Sequence, residues 1–278
     1  MAELNYTPEK TVEDFILDYI PGELFYTFIV GPFGSGKTAG SLMKIAHMAG
    51  LQKPSPVDGI RRTRCVVIRN TMPQLRDNTL VSWNNWFKDG VAGKWKATEK
   101  NFILRFGDVE CEVLFRPLDT PDDVSRVLGL EITFAVLDEF VQIPKEVVEG
   151  VSGRCGRYPA KLDGGATNWG VWGASNPGEE DTWWHDLLIE NKPENVSYYH
   201  QPSGLSPQAE NTENLAPYIK GDLSYYKNLA KGKSPSWIKQ FIEAEWGYSV
   251  AGKPVVPTFK RDLHVHKTNL TADKSLPI

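Results

Sequence analysis

The chain has 278 residues, of which 41% are hydrophobic and 24% charged, and a net charge of −4. This length can hold roughly two domain-equivalents, or one α/β domain with an appendage, and the net charge argues against a protein that binds nucleic acid through a wholly basic surface. No apolar run approaches the ~18 residues that would suggest a membrane span, and Met1-Ala2-Glu3 starts no secretory signal. Three widely spaced cysteines favour reduced thiols in a cytosolic setting.

The first 22 residues are polar and mixed, with apolar side chains at helical spacing. They predict an amphipathic helix that ends near Pro21-Gly22. Its apolar face could pack on the protein core or contact the adenine ring of a nucleotide, and the sequence leaves both alternatives open. The apolar positions are Val12, Phe15, Ile16 and Tyr19.

The stretch from Gly31 to Thr38 fits the phosphate-binding pattern G-x-x-x-x-G-K-[ST] at every fixed position. An apolar run at 24–30 predicts a buried strand before it, and helical spacing from Leu42 to a stop at Gly50 predicts a helix after it. Its glycines let backbone N–H groups approach a triphosphate, and the helix N-terminus adds its dipole. The full stretch is Gly31, Pro32, Phe33, Gly34, Ser35, Gly36, Lys37 and Thr38.

The two polar side chains of this stretch have separate tasks. Lys37 can reach the β- and γ-phosphates, and the Thr38 hydroxyl can ligate Mg²⁺. The sequence therefore predicts a site for a nucleoside triphosphate and Mg²⁺.

A second core strand is predicted at 65–68, with Arg69 at its carboxyl end, where open α/β sheets place their ligand chemistry. Thr71 is a candidate N-cap for a helix running through Leu75, Leu80 and Trp83 to residue 87. Arg69 can face nucleotide or DNA, or it can form a surface salt bridge, and the sequence does not decide between them.

Three lysines surround Trp95, at positions 94, 96 and 100. Basic residues interleaved with an aromatic suit nucleic acid, and a solvated loop is the preferred alternative. Alternating apolar residues at 102–106 and 109–115 predict a hairpin around Gly107-Asp108. Residues 119–123 predict a loop, and 124–129 lead into the next strand.

Asp138 and Glu139 end an apolar strand that begins at Ile132, about a hundred residues after the glycine loop. Such a strand places Asp138 where it can hold Mg²⁺, and it places Glu139 where it can polarise an attacking water. A phosphotransferase must exclude water, so a second carboxylate at this position favours hydrolysis over transfer to an acceptor.

Two further segments carry candidate polar residues. A glycine-rich loop at 153–159 contains Arg154 and Arg157, and a strand at 169–174 ends in Ser175-Asn176 at the same predicted edge. Ser175 and Asn176 can sense the γ-phosphate and relay its loss, or they can form a strand-ending turn, since Asn-Pro favours one. A further strand at 196–199 and helical segments within 203–250 follow.

Together these residues resemble the ATPase region of the large terminase subunit of tailed phages, and the resemblance spans nearly the whole chain. Its motifs include Gly31 to Thr38, Val66 to Asp77, and Leu128 to Glu139. The remaining motifs are 153–159, 175–177, 202–211, Trp246-Gly247 and Gly252-Lys253-Pro254.

The resemblance implies an α/β P-loop NTPase of the additional-strand, catalytic-glutamate type, with a mainly parallel sheet and a small helical lid. It implies a core at 1–200, a lid and linker at 201–260, and, at 261–278, the start of a connection to a nuclease domain, so that nuclease activity is expected only in a full-length parent. The implied activity is Mg²⁺-dependent ATP hydrolysis that moves viral DNA into a procapsid.

The resemblance also implies partners: double-stranded DNA, a portal protein, a small terminase subunit and further copies in a ring. It implies a monomer in isolation, located in the host cytoplasm and transiently on the procapsid. Ser175-Asn176 match the family's coupling motif, and Arg126 matches an arginine finger given in trans, with Arg154 and Arg157 as competitors. Many relatives carry an arginine inside the glycine loop, where this chain has Pro32-Phe33.

Two other classes stay open as alternatives. A helicase-like motor would use the same ATPase core, although a second ATPase lobe has no room in this chain. A small-molecule phosphotransferase would keep the phosphate site, but Glu139 speaks against it.

Overall fold

The structure is a computed structural model and describes residues 5–247. Its centre is one eight-stranded sheet. The strands are β1 (Leu24–Val30), β2 (Arg61–Arg69), β3 (Gly93–Lys96), β4 (Asn101–Phe106), β5 (Val109–Pro117), β6 (Phe134–Asp138), β7 (Trp169–Ser175) and β8 (Val196–His200).

Helices cover the sheet, and two short α-helices lie between β8 and residue 247. They are α1 (Lys10–Leu17), α2 (Lys37–Gly50), α3 (Met72–Gln74), α4 (Leu80–Trp86), α5 (Pro121–Leu128), α6 (Lys145–Ser152), α7 (Trp183–His185), α8 (Ser224–Ala230) and α9 (Pro235–Phe241). Wider π-helical turns at Leu75–Thr79 and Asp186–Glu190 continue α3 and α7. Within the described residues, no helix is long and apolar enough to cross a membrane.

The strand order is β3-β4-β5-β2-β6-β7-β1-β8. Neighbours from β5 to β8 are parallel, and β3 and β4 extend the sheet as antiparallel strands. Strand β7 lies between β1, which leads into the glycine loop, and β6, which ends at Asp138. Parallel pairing brings the carboxyl ends of β1, β2, β6 and β7 to one edge, where open α/β sheets bind their ligands.

Each face of the sheet buries its own apolar layer, which is why the central strands are apolar on both sides. Helices α1, α2 and α4 cover one face, with Phe15, Ile45 and Trp83 among the buried residues. Helices α5 and α6 cover the other face, together with the segment that carries Trp184. Burial of these two layers is the main stabilising contribution to the fold.

Lys44 joins the helix after the glycine loop to α1. Its buried ammonium donates a hydrogen bond to the Phe15 carbonyl oxygen at 2.6 Å and another to the Asp18 carbonyl oxygen. The Phe15 ring lies 4.9 Å from the same ammonium. Burial lowers the pKa of Lys44 to about 7, against an opposing attraction from Asp18. The contact fixes the C-terminal end of α1 against α2.

Most predicted elements are confirmed, including the strand at 24–30, the helix from the glycine loop to Gly50, and the hairpin of β4 and β5. Thr71 caps α3 as predicted, since its hydroxyl accepts a hydrogen bond from the Gln74 N–H at 3.4 Å. Strand β2 is longer than predicted and begins at Arg61.

Helix α1 ends at Leu17, before its predicted end near Pro21-Gly22, and two other elements were predicted wrongly. Residues 121–128 form α5 rather than a lead into a strand, because Thr120 and Asp123 form a reciprocal capping box at its start. Residues 93–96 form β3 rather than a loop. The half-buried Trp95 ring packs edge-on against Phe102, with ring centroids 5.3 Å apart, and therefore lies against the core.

Candidate active site

The loop from Gly31 to Thr38 joins β1 to α2 and has the conformation that its glycines permit. Gly34 and Gly36 have φ values of +72° and +83°, a region that L side chains rarely adopt. Gly36 directly precedes α2, so the loop delivers its backbone N–H groups to the N-terminus of a 14-residue helix. This strand, loop and helix arrangement suits the binding of phosphate.

Lys37 is almost fully buried at the start of α2. Its side chain is within the loop, where Nζ donates a hydrogen bond to the Pro32 carbonyl oxygen at 2.9 Å. Burial lowers the pKa of Lys37, while Glu139 and Asp138 act in the opposite direction. Both carboxylates are therefore near the lysine, as the sequence predicts, and an incoming phosphate would compensate the desolvated charge.

Asp138 ends β6 and is 3% exposed. Its Oδ2 accepts a hydrogen bond from Arg69 Nη1 at 2.6 Å and another from the Thr79 hydroxyl. Its Oδ1 is also buried, and no group within the described residues donates to it. A buried carboxylate oxygen without a hydrogen-bond donor is a suitable ligand for Mg²⁺. The residues at this edge therefore fit the predicted metal. Thr38 supplies the second predicted ligand from the first turn of α2.

Glu139 follows Asp138 with a φ of +54°, in the left-handed region that is uncommon for residues other than glycine. Its Oε2 accepts a hydrogen bond from Ser175 Oγ at 2.9 Å, and its own N–H donates to the Ala174 carbonyl oxygen at 2.8 Å. Strand β7 therefore holds both the backbone and the side chain of Glu139. Strain of this kind at a carboxylate beside a phosphate loop is typical of a functional position.

Ser175 and Asn176 connect two parts of the site. Asn176 Nδ2 donates a hydrogen bond to the Gly31 carbonyl oxygen at 2.7 Å, while Ser175 contacts Glu139. The end of β7 thus connects the glycine loop to the candidate base Glu139. A residue pair that senses the γ-phosphate is expected in this position, because it has to contact both.

The segment after β8 packs directly on the glycine loop. The ring of Phe33 stacks on Phe241 of α9, with centroids 4.8 Å apart, and Tyr226 of α8 donates from its hydroxyl to the Phe33 carbonyl oxygen at 2.8 Å. The predicted lid therefore contacts the loop at Phe33. The predicted boundary near residue 200 stays a prediction, and its continuation at 248–260, like the segment at 261–278, lies outside the described residues.

Sequence reasoning missed a buried polar network behind the loop. Gln201 Oε1 accepts from Ser35 Oγ at 2.7 Å, and Gln201 Nε2 donates to Glu210 Oε2 at 2.8 Å. Glu210 Oε1 in turn accepts from the Thr11 hydroxyl at 2.7 Å. Glu210 lies in one of the motifs of the terminase resemblance, but no local pattern indicates that its carboxylate reaches both α1 and the loop.

A cleft of about 460 Å³ opens beside the start of α2. Ser35, Gly36 and Ala39 line one side, and Tyr6 and Trp86 line another, with their rings edge-on at 5.1 Å. A partly apolar cleft next to a phosphate loop has the character of a site for a nucleoside.

The three candidate arginines lie away from this cleft. Arg126 is on α5 with its side chain 73% exposed, and its Nη1 is 3.8 Å from Asp123 Oδ1. Arg154 and Arg157 flank the amino end of β6, where their backbones pair with Ile132. Their trans-acting roles stay predictions, since each depends on a neighbouring subunit.

The glycine loop, the carboxylate pair and the strand between β6 and β1 define the class of protein: this is an α/β P-loop NTPase fold with an additional strand in the sheet. No protein-family model matches the chain, and no curated protein does.

Solved structures identify the fold more narrowly, as that of the ATPase domain of large terminases. The large terminase of a thermophilic bacteriophage matches with a TM-score of 0.63 at 14% identity, over 87% of this chain and 54% of that one. The complex of that terminase with ATP-γ-S matches with a TM-score of 0.61 at 15% identity, over 87% of this chain and 53% of that one. The ATPase domain of a Thermus phage large terminase matches with a TM-score of 0.57 at 13% identity, over 87% of this chain and 95% of that one. The chain therefore spans about half the length of the first of these terminases.

Proposed function

We propose that this chain is the ATPase motor domain of a viral genome-packaging terminase, which hydrolyses ATP to move double-stranded DNA into a procapsid. The observation that carries the proposal is the convergence of Lys37, Asp138, Glu139 and Ser175 at one sheet edge beside the glycine loop. These groups provide a phosphate cradle, a metal ligand, a base and a sensor, which together are the parts of an ATPase.

The loop residues bind the triphosphate through backbone N–H groups and the Lys37 ammonium. Thr38 and Asp138 would hold Mg²⁺, which would supply positive charge to stabilise the negative charge of the transferred phosphate. The cleft between Tyr6 and Ser35 takes the nucleoside. When the nucleotide binds, the Lys37 ammonium exchanges its hydrogen bond to the Pro32 carbonyl oxygen for contacts with the phosphates.

Glu139 is the general base that orients and deprotonates the attacking water. Ser175 and the left-handed backbone at Glu139 hold the carboxylate in one orientation, which reduces the reorganisation needed during hydrolysis. After phosphate leaves, the pair Ser175 and Asn176 relays the change to Gly31, and the contact of Phe33 with α9 carries it to the segment at 201–247.

The proposed partners follow from the terminase assignment. They are double-stranded DNA, a portal protein, a small terminase subunit and further copies in a ring, in the host cytoplasm and on the procapsid. One of the similar terminase structures is a complex with ATP-γ-S and another is an ATPase domain, which supports ATP as the nucleotide.

We expect the purified chain to release phosphate slowly from Mg-ATP and duplex DNA to accelerate it, since a packaging motor couples the two. Lys37→Ala should lose nucleotide affinity and release no phosphate, whereas Lys53→Ala, at an exposed lysine, should behave as wild type. Phosphate release with and without DNA is the measurement. Transfer of the phosphate to a small acceptor instead of water would favour the phosphotransferase alternative, and hydrolysis indifferent to DNA would contradict the motor assignment.

A further inference from the structure

Asp138 is held in an asymmetric way that its role as a metal ligand does not by itself explain. Both donors that reach its carboxylate, Arg69 Nη1 and the Thr79 hydroxyl, contact the same oxygen, Oδ2. The other oxygen, Oδ1, is buried and receives no hydrogen bond within residues 5–247. Oδ2 therefore accepts both hydrogen bonds, and Oδ1 is left free to bind a metal ion.

Arg69 reaches Asp138 because of the register between neighbouring strands. Ile68 of β2 pairs with Leu137 of β6. The next residues of the two strands, Arg69 and Asp138, therefore lie side by side at the carboxyl edge of the sheet. The ion pair is buried, with side-chain exposures of 9% and 3% for Arg69 and Asp138. A buried guanidinium beside a carboxylate gains a short, charge-assisted hydrogen bond.

Thr79 reaches the same oxygen from a different direction. It lies at the end of the π-helical turn Leu75–Thr79, where the Leu80 N–H donates to the Leu75 carbonyl oxygen. This wider turn inserts one residue relative to an α-helix and changes which side chains point inward. Thr79 is completely buried, so its hydroxyl is directed at Asp138 rather than at solvent.

A purely stabilising ion pair would be expected to satisfy the polar atoms that it buries, because unpaired buried groups are costly. Here Arg69 Nε and Asp138 Oδ1 are both buried and unpaired. Residues that hydrogen bond to one oxygen of a metal-binding carboxylate orient the other oxygen toward the metal. The arrangement therefore fits orientation of a ligand better than it fits stability alone.

We infer that Arg69 and Thr79 are positioning residues, which hold Oδ2 of Asp138 and thereby present Oδ1 to the divalent cation of the bound nucleotide. The inference rests on the proposed function, since it needs a nucleotide and its cation at this edge. It assigns a role to Arg69, for which the sequence left a nucleotide or DNA contact and a surface salt bridge open. It also assigns a role to the π-helical turn, which directs the Thr79 hydroxyl at Asp138.

The test compares Thr79→Val, which keeps the shape of the side chain and removes the hydroxyl, with Thr79→Ser, which keeps the hydroxyl. Mn²⁺ binding to the chain with a non-hydrolysable ATP analogue is measured by electron paramagnetic resonance, and analogue binding is measured separately in EDTA. We expect Thr79→Val to weaken Mn²⁺ binding about tenfold or more without changing analogue affinity in EDTA. Thr79→Ser should recover most of the Mn²⁺ affinity.

Thr63→Val is the matched control, because Thr63 is a buried threonine at the opposite end of β2. It should bind Mn²⁺ as wild type does. Arg69→Lys keeps the charge but not the reach of the guanidinium, so it provides a second test and should also weaken Mn²⁺ binding. Thermal unfolding of each variant shows whether it is folded under the conditions of the assay.

Three outcomes are decisive. Unchanged Mn²⁺ affinity in a folded Thr79→Val protein overturns the inference and leaves the proposed function standing. Equal losses in Thr79→Val and Thr79→Ser overturn it too, because the effect then comes from packing. Failure of the wild type to bind the analogue, with or without Mn²⁺, contradicts the proposed function itself.

Discussion

Replacing Glu139 with Gln is expected to lower ATP turnover by about 10²–10⁴-fold, the usual contribution of a general base, while ATP and Mg²⁺ still bind. Glutamine has the shape of glutamate, and its amide oxygen can accept the hydrogen bond that Ser175 Oγ donates to Glu139. It cannot accept a proton from water. Steady-state phosphate release and equilibrium binding of Mg-ATP measure the two effects separately.

Glu146→Gln is the matched control for this experiment, since Glu146 is an exposed acid on α6, close to Glu139 along the chain. It should turn over ATP as wild type does. Lys37→Ala should show the opposite pattern to Glu139→Gln, with weak binding as its primary defect. Undiminished hydrolysis by Glu139→Gln would refute the assignment of the base.

Arg126→Ala is expected to lower turnover by about 10³–10⁵-fold in assembled subunits, the range typical of an arginine finger. The structure supports its availability, because its side chain is 73% exposed and its Nη1 is 3.8 Å from Asp123 Oδ1. An exposed ion pair of this kind contributes little, so it can be exchanged for a neighbour's phosphate. The measurement is phosphate release as a function of protein concentration. Lys100→Ala is the control, at an exposed cation that lines a surface cleft together with Arg126.

Mixing Arg126→Ala with Lys37→Ala protein tests whether the arginine acts in trans. Each variant lacks a different half of a shared site, so in a head-to-tail ring about one interface in four combines an intact loop with an intact arginine. Partial recovery of activity is the expected result. Mixtures as inactive as the separate variants, alongside an active wild type, would remove support for the trans role and favour Arg154 or Arg157.

The phosphate loop and its flanking elements could be predicted because the information is local. The glycines set the backbone of the loop, and the apolar patterns at 24–30 and 42–50 set the strand and helix on either side of it. Asp138-Glu139 and Ser175-Asn176 could be placed at the same edge for a similar reason, since each ends an apolar strand and parallel strands end together.

Contacts between distant segments could not be predicted. The pairing of Arg69 with Asp138 depends on strand order, and the reach of Thr79 depends on a π-helical turn that no local pattern in the sequence indicates. The Gln201 and Glu210 network joins three segments that are far apart in sequence. In such cases residue types are visible in the sequence, but their partners are decided by tertiary packing.

The two wrong predictions have different origins, one in tertiary packing and one in a local signal. Trp95 between lysines has the composition of a nucleic-acid contact or a solvated loop, yet cross-strand packing against Phe102 makes it part of an edge strand. The capping box at Thr120 and Asp123, with Pro121 at the start of the helix, is a local sequence signal for α5.

The loop at 31–38 and the sheet edge carrying Asp138 and Glu139 are proposed to form one site for a nucleoside triphosphate and its cation. A crystal structure of the Glu139→Gln protein with ATP and Mn²⁺, with anomalous data that locate the metal, tests it most directly. The expected result is a triphosphate on the backbone of Gly31 to Thr38, with the anomalous peak beside Thr38 and Asp138 Oδ1. A nucleotide bound elsewhere, or a metal whose ligands include neither residue, would contradict the account.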